Sequence, residues 1–99
     1  MATRRRIAWT FGAQRTLGDA IEYVAQDAPG AALRLLEDAL SAARSLERFA
    51  LRGRIVPEIA DPALRELRVG RYRLMYRVLP DSVEILVFIH AARDFPSRN

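Results

Sequence analysis

The chain has 99 residues, 51% of them hydrophobic and 28% charged, a composition typical of one globular domain covering residues 1–99. It has no cysteine and one histidine, His90, which excludes disulfides and predicts no metal site. No apolar run approaches the roughly 20 residues of a membrane span, and no signal-type apolar stretch follows the basic residues at the start. We therefore expect a cytoplasmic protein without a membrane segment.

The positive charge of the chain is concentrated in one region. All 16 basic residues are arginines, and 12 acidic residues leave a net charge of +4. A GC-rich genome would explain the preference for arginine over lysine, but not the uneven placement. Residues 52–77 contain seven arginines and three acids. Such a pattern is typical of a small protein that binds nucleic acid, an acidic protein partner or a ribosome.

The first half of the chain is predicted to contain one short strand and two helices. Residues 4–10 alternate in polarity and are expected to form the opening strand. A first helix is predicted from residue 11 or 12 to residue 26, and a second from residue 29 or 30 to residue 49 or 50. Apolar residues recur at helical spacing, namely Leu17, Ile21 and Val24 in the first helix and Leu33, Leu36, Leu40, Ala43 and Leu46 in the second. The short break between them implies an antiparallel helical hairpin.

The second half of the chain is predicted to form strands, because the polarity there alternates with a period of two. The candidate strands are residues 64–69, 72–79 and 83–90, with turns at Gly70-Arg71 and Pro80-Asp81. We therefore expect an α+β fold, in which the N-terminal strand and the helical hairpin pack on one face of a small, mainly antiparallel sheet.

The alternation also predicts which residues face each other across the last two strands. If Val78 pairs with Val83, then Tyr76 faces Ile85 on an apolar side that should meet the helices. The remaining pairs on that side are Leu74 with Val87 and Tyr72 with Ile89. The other side would pair Arg77 with Glu84, Met75 with Leu86, Arg73 with Phe88 and Arg71 with His90, and would place Arg68 opposite Arg73. This interpretation predicts a sheet with one apolar face and one face of clustered arginines.

Several classes of function are not supported by any motif in the chain. The sequence contains no glycine-rich phosphate loop, no HExxH zinc motif and no G-x-S-x-G nucleophile elbow. No helix-turn-helix is evident, because the helical hairpin contains a Pro-Gly break and its apolar face is too wide for a helix that reads a DNA groove. We expect no cofactor.

Five groups of residues in the chain form a recognisable series. They are residues 53–58 (GRIVPE), 65–67 (REL), 72–78 (YRLMYRV), 83–87 (VEILV) and 90–94 (HAARD). In this order and spacing they resemble the RelE/ParE superfamily of bacterial toxins from type II toxin–antitoxin pairs. The resemblance covers nearly the whole chain and implies the hairpin-on-sheet architecture expected above.

The resemblance also implies partners. Proteins of this superfamily are toxins held inactive by a cognate, acidic antitoxin, whose flexible C-terminal segment wraps the toxin and whose N-terminal part binds operator DNA. This chain would then meet operator DNA only through the antitoxin, in a hetero-oligomer. A basic toxin and an acidic, partly disordered antitoxin are electrostatically complementary.

The two branches of the superfamily imply different activities. RelE-type toxins cut messenger RNA on the ribosome, and for that chemistry the resemblance implies Arg73 as the phosphate-binding cation and Glu58 or His90 as the acid–base group. ParE-type toxins inhibit DNA gyrase by binding. The ending of residues 90–93 is more similar to the ParE side, because the tyrosine of several RelE-type enzymes is absent there.

Gyrase inhibition is therefore the leading hypothesis, with mRNA cleavage as one alternative and a decayed, non-toxic member that only binds antitoxin as another. A ParE-like toxin would use its arginine face for target binding, through Arg68, Arg71, Arg73, Arg77 and Arg93. Simpler structural roles are also open at three positions. Arg73 could pack across the strands on Phe88, Glu58 could pair with a nearby arginine, and His90 could be an exposed strand-end residue.

Overall fold

The computed structural model describes residues 4–93; Asp94, the last residue of the HAARD group, lies outside this range. The elements in chain order are β1 (Arg6–Trp9), α1 (Phe11–Ala25), α2 (Pro29–Ser45), β2 (Arg54–Ile55), β3 (Leu64–Val69), β4 (Tyr72–Val78) and β5 (Ser82–His90). The expected α+β fold is confirmed.

The five strands form one mixed sheet in the order β1-β5-β4-β3-β2. β1 pairs in parallel with β5 at one edge, and the other neighbours are antiparallel. Both helices cover the same face, called the inner face below. The C-terminal strand therefore lies between the N-terminal strand and the centre of the sheet, which ties the two ends of the described region together.

The two helices begin where local chemistry favours them. The Thr10 hydroxyl accepts a hydrogen bond from the Ala13 amide at 3.1 Å, which caps α1, and α2 begins with Pro29, whose missing N–H is not needed at that position. α2 ends at Ser45, about one turn before the predicted end. The Leu46 amide bonds to the Ala43 carbonyl, so the chain tightens into a turn and brings Leu46 into the core.

The buried face of the hairpin differs from the predicted leucine stripe. Small residues mediate the close approach of the helices and the sheet, namely Ala13 and Ala20 on α1 and Ala32, Ala39 and Ala43 on α2. Of the predicted apolar stripe, Ala43 and Leu46 are buried, whereas Leu33 and Leu40 are 57% and 41% exposed. Alanine allows the backbones to approach where leucine would hold them apart. The buried face of α2 is therefore centred on Ala32, Ala39 and Ala43 and is rotated about the helix axis relative to the predicted apolar stripe.

The predicted register of β4 and β5 is correct only for its first half. Val78, Arg77 and Tyr76 pair with Val83, Glu84 and Ile85 as expected. A β-bulge then leaves one extra residue on β5, so that Leu74 pairs with Phe88 and Arg73 with Ile89. The remaining predicted pairs are therefore wrong: Met75 pairs with Val87 and Tyr72 with His90. Arg68 does lie opposite Arg73.

The bulge changes what lies on each face of the sheet. Phe88 moves to the inner face, where its ring stacks on Tyr72 with centroids 5.0 Å apart. The outer face carries a second apolar cluster of Val56, Met75 and Ile89. Residues 56–61, called the strap below, lie against this cluster. The predicted clustered arginines lie on this outer face, and the strap covers the centre of the cluster at Arg73.

Candidate functional site

Arg73 lies at the centre of the outer face, and its side chain is only 6% exposed. Both guanidinium ends bond the Glu58 carboxylate, from Nη1 to Oε2 and from Nη2 to Oε1, each at 2.8 Å. Nε donates to Glu66 Oε1 at 2.8 Å, and Nη1 also donates to the Arg93 carbonyl at 2.9 Å. Nη2 lies 2.6 Å from Glu66 Oε1. The guanidinium is thus surrounded by acceptors from three segments of the chain.

Glu66 joins this centre to the edge of the sheet. Its Oε2 lies 2.6 Å from Arg54 Nε on β2, and its side chain is almost fully buried. Arg54, Glu58, Glu66 and Arg73, called the ion cluster below, therefore contain two cations and two anions. The hydrogen bonds with Glu58 are the main reason that the pKa of Arg73 is raised. Among the described residues no buried polar side-chain atom is left without a hydrogen bond.

Glu66 was not among the predicted site residues, although it bonds both arginines of this arrangement. A signal was present in the sequence. Glu66 is the only acid between Asp61 and Asp81, and it alternates onto the same face as Arg68 in the predicted strand. An isolated acid among arginines on a predicted strand favours a buried pair.

The neighbouring motif residues also have structural partners. The Gly53 amide donates to the Tyr76 hydroxyl at 3.0 Å, and that hydroxyl donates to the Ala50 carbonyl at 2.8 Å. Arg65 donates to the carbonyls of Gly53 and Pro62. The GRIVPE, REL and YRLMYRV groups thus hold the segment after α2 onto β3 and β4.

His90 lies on the opposite face of the sheet from Arg73. It pairs with Tyr72, next to Arg73 on β4, and successive side chains of a strand point to opposite faces. His90 Nδ1 accepts a hydrogen bond from the Ala92 amide at 3.1 Å, and its ring meets Tyr72 edge-on. It lines a cleft of about 420 Å³ beside α1, together with Asp19, Tyr23 and Arg93. The structure therefore brings Glu58 and Arg73 together but separates His90 from them.

The other predicted target-binding arginines surround the ion cluster at the surface. Arg68, Arg71 and Arg93 are exposed, and Arg77 is half-buried with its Nε 3.7 Å from Glu84 Oε1. Arg73 itself does not lie at the surface with the others, because its guanidinium is buried and bonded to Glu58 and Glu66. The exposed part of the set lies around the Gly70 turn and the end of β5.

A second surface feature was not predicted. An apolar groove of about 610 Å³ runs between the two helices and the end of β1, lined among others by Trp9, Leu17, Ile21, Leu36 and Leu40. Leu36 and Leu40 belong to the predicted apolar stripe of α2. Their position at the groove depends on which face of α2 packs against the sheet, which only the folded structure shows.

Within residues 4–93 no group of three potential ligands is placed to hold a metal ion. In the same region no helix has the length and apolarity needed to cross a membrane.

Comparisons with known proteins agree with this architecture. A protein of Sinorhizobium fredii described as "Putative toxin Y4kP" is 31% identical over 96 residues, covering 95% of this chain and 96% of that protein. A solved structure of the chromosomal ParDE toxin–antitoxin system from P. aeruginosa has a similar fold, with a TM-score of 0.73 at 21% identity over 88% of this chain and 96% of that one. The toxin–antitoxin complex RelBE2 from Mycobacterium tuberculosis gives a TM-score of 0.60 at 25% identity, over 92% and 95% of the two chains.

The family comparison is more specific than the similarity of folds. The sequence model described as the ParE toxin of the type II toxin–antitoxin system parDE matches residues 7–95. This match begins at Ile7 in β1 and ends beyond β5, and it includes every residue of the five motif groups. The chain belongs to the ParE toxin family, within the RelE/ParE superfamily of type II toxin–antitoxin toxins.

Proposed function

We propose that this toxin inhibits DNA gyrase by binding to it and is neutralised by a cognate antitoxin. One observation favours inhibition by binding to gyrase over cleavage of mRNA. The guanidinium of Arg73, the cation that a ribonuclease mechanism would need, is occupied by Glu58, Glu66 and the Arg93 carbonyl. A phosphate would have to displace two carboxylates to reach it.

The acid–base groups give further support to this proposal. RNA cleavage needs a base and an acid on either side of the scissile phosphate, with a cation beside them. Glu58 is engaged in a two-point ion pair, and His90 lies across the sheet from that pair. Within residues 4–93 the three candidate catalytic side chains therefore do not share one site.

The surface proposed for target binding is the exposed arginine group around the ion cluster. Arg68, Arg71 and Arg93 are exposed, and within residues 4–93 none of their side chains forms an ion pair with an acid. Exposed guanidiniums at a rigid sheet end fit an acidic protein surface, because arginine forms two parallel hydrogen bonds to a carboxylate. Arg77 is proposed to contribute at the margin.

The proposed site for the antitoxin is the apolar groove between the helices. Leu40 is 41% exposed in the free chain, and the groove is open and almost entirely apolar along its floor. An amphipathic helix of a partner would cover such a surface. The groove and the exposed arginine group are formed by different parts of the molecule, so the antitoxin would act on the target surface only if its chain wraps further round the toxin.

The proposal is tested by adding the purified chain to gyrase and following the supercoiling of relaxed plasmid DNA. We expect inhibition that increases with toxin concentration, and no cleavage of mRNA in a translating extract. Uninhibited supercoiling together with cleaved mRNA would replace the proposal with the ribonuclease alternative. Neither effect, with antitoxin binding retained, would identify a member without toxicity.

The proposed target surface is tested by Arg68→Gln combined with Arg71→Gln. We expect weaker inhibition of supercoiling and unchanged antitoxin binding, because these residues lie away from the groove. Arg15→Gln combined with Arg34→Gln is the matched control, since it removes the same charge from exposed positions on the helices. Equal inhibition by the two double variants would overturn the assignment of this surface.

A further inference from the structure

The apolar groove does not end at β1 but continues along α2 towards its C-terminal end. Trp9 and Leu40 line both the groove and a second depression of about 240 Å³. That depression in turn shares Arg44 and Glu47 with a third, of about 360 Å³. The three depressions thus form one track along α2, which rises about 14 Å between Leu36 and Ser45.

The chemistry of the track changes along its length. The groove is apolar, whereas the far end is lined by Arg4, Arg44 and Arg48 with Glu47. Glu47 is paired with Arg4 at 3.2 Å. The side chains of Arg44 and Arg48 are exposed and have no acidic partner within residues 4–93. The far end, called the basic end below, therefore carries two unneutralised charges.

An exposed aromatic ring lies at the basic end. Phe49 lines the third depression and is 64% exposed, although it follows directly on the turn that buries Leu46. Arg44 lies in the last turn of α2, where the helix dipole favours a cation, but Arg48 follows the helix and has no such role. Two free guanidiniums beside an exposed phenyl ring fit a segment that carries both acidic and apolar side chains.

We propose that the antitoxin segment that fills the apolar groove continues into the basic end, where its acidic residues contact Arg44 and Arg48. This inference rests on the proposed antitoxin partner and adds an order to its sequence. An apolar, helix-forming stretch adjoins an acidic stretch, with one apolar residue placed to cover Phe49. The two stretches are expected to be adjacent in the antitoxin because the track is continuous and its two ends differ in chemistry, one apolar and one basic.

The experiment measures binding of the protein encoded by the reading frame adjacent to this toxin, with the full-length toxin in solution. Toxin carrying Arg44→Gln and Arg48→Gln is compared with toxin carrying Arg15→Gln and Arg34→Gln, and circular dichroism verifies that both are folded. We expect Kd to rise about fivefold to tenfold for the first pair and less than twofold for the second. The dependence of Kd on salt should also become shallower for the first pair.

Leu40→Arg separates the two parts of the track. This variant places a charge in the apolar groove, and we expect it to weaken binding regardless of salt. If Leu40→Arg weakens binding while Arg44→Gln with Arg48→Gln does not, the antitoxin occupies the groove alone and the inference is wrong. If the wild-type toxin does not bind the neighbouring protein at all, the proposed antitoxin partner itself is wrong.

Discussion

Gly53 lies where the segment after α2 passes closest to β3 and β4. A Cβ atom at this position would lie 2.5 Å from the Glu66 carbonyl oxygen and 2.5 Å from the Tyr76 hydroxyl. One of these atoms is backbone and the other is a buried ring substituent that bonds Ala50. Neither can move without disturbing the sheet, so only glycine fits here.

We therefore expect Gly53→Ala to lower the free energy of unfolding by about 1–3 kcal/mol. Gly18→Ala is the matched control, because Gly18 is in α1 and a Cβ there meets nothing within 4 Å. The helix should gain about 0.5–1 kcal/mol from that change. Urea unfolding measures both, and equal stability of the two variants would contradict the packing argument.

Tyr76 is fully buried, and its burial raises the pKa of the phenol above the ordinary value. The unfolded chain then loses its phenolic proton at a lower pH than the folded chain does. Stability from this residue is complete below the ordinary tyrosine pKa of about 10 and is lost as the pH rises above it. The chain has no lysine and no cysteine, so neither of those side-chain types contributes to the pH dependence of stability in this range.

We expect the free energy of unfolding of the wild type to fall as the pH rises above about 10. Tyr76→Phe should be less stable at neutral pH, because the Gly53 amide and the Ala50 carbonyl lose their partner. Its stability should nevertheless change less with alkaline pH. Denaturant unfolding at several pH values tests this, and parallel pH profiles would show that another group is responsible.

At the scale of elements, α1 completes the hydrogen bonding of β5 where β1 ends. β1 pairs with β5 as far as Trp9 opposite Ile85. Beyond that point the Thr10 amide bonds the Ile85 carbonyl, and the Thr16 hydroxyl accepts from the Phe88 amide at 2.9 Å. Near the bulge, Thr10 and Thr16 thus supply hydrogen-bond partners for β5 in place of β1.

Thr16→Val should therefore lower the free energy of unfolding by about 1–3 kcal/mol, since it leaves the Phe88 amide without an acceptor. Thr16→Ser keeps the hydroxyl and should cost less than about 0.5 kcal/mol. Thermal unfolding of the two variants distinguishes them. A valine variant as stable as the serine variant would mean that water or another group serves the amide equally well.

The ion cluster joins the strap to the sheet through Arg73. Arg73→Gln leaves Glu58 and Glu66 without their shared cation, and we expect a loss of about 3–5 kcal/mol in the free energy of unfolding. Arg77→Gln is the control on the same strand. Arg77 and Glu84 are both partly exposed at 3.7 Å, so its loss should cost less than about 1 kcal/mol. Similar urea midpoints for the two variants would contradict the central role of Arg73.

At the scale of the whole molecule, stability should be highest in the middle of the sheet. β4 lies between β5 and β3, and Leu74 and Tyr76 are fully buried there. β2 is a two-residue edge strand whose residues are exposed. Hydrogen exchange of backbone amides should be slowest at Leu74 and Tyr76 and fast at Ile55. Equal protection at the centre and at this edge would indicate that the sheet opens only by global unfolding.

Much of this architecture could be predicted from local patterns in the sequence. The helical spacing in the first half and the alternation in the second predicted both helices, the hairpin and every strand except β2, together with the pairing near Val78 and Val83. The order of the motif groups predicted the superfamily that the comparisons support. These properties depend on residues that are neighbours in the chain, so they can be predicted from the linear sequence.

The site depended on contacts between distant segments, and its prediction was correspondingly incomplete. The alternative that Glu58 pairs with a nearby arginine is confirmed, but the arginine is Arg73, 15 residues away. The alternative that Arg73 packs on Phe88 is wrong, because the bulge places Phe88 on the inner face. No local pattern marks a single extra residue in β5, and that residue decides which face each later side chain occupies.

The sequence by itself determined the net charge, the superfamily and the types of all elements except the short strand β2, because spacing, composition and motif order are properties of the linear chain. Only the tertiary structure decided which charges are buried, which arginines remain exposed and which leucines face a groove. Those outcomes follow from the bulge in β5, the strap over Arg73 and the close alanine packing of the helices. Each of them is a contact between segments far apart in the sequence, whose geometry the folded chain alone establishes.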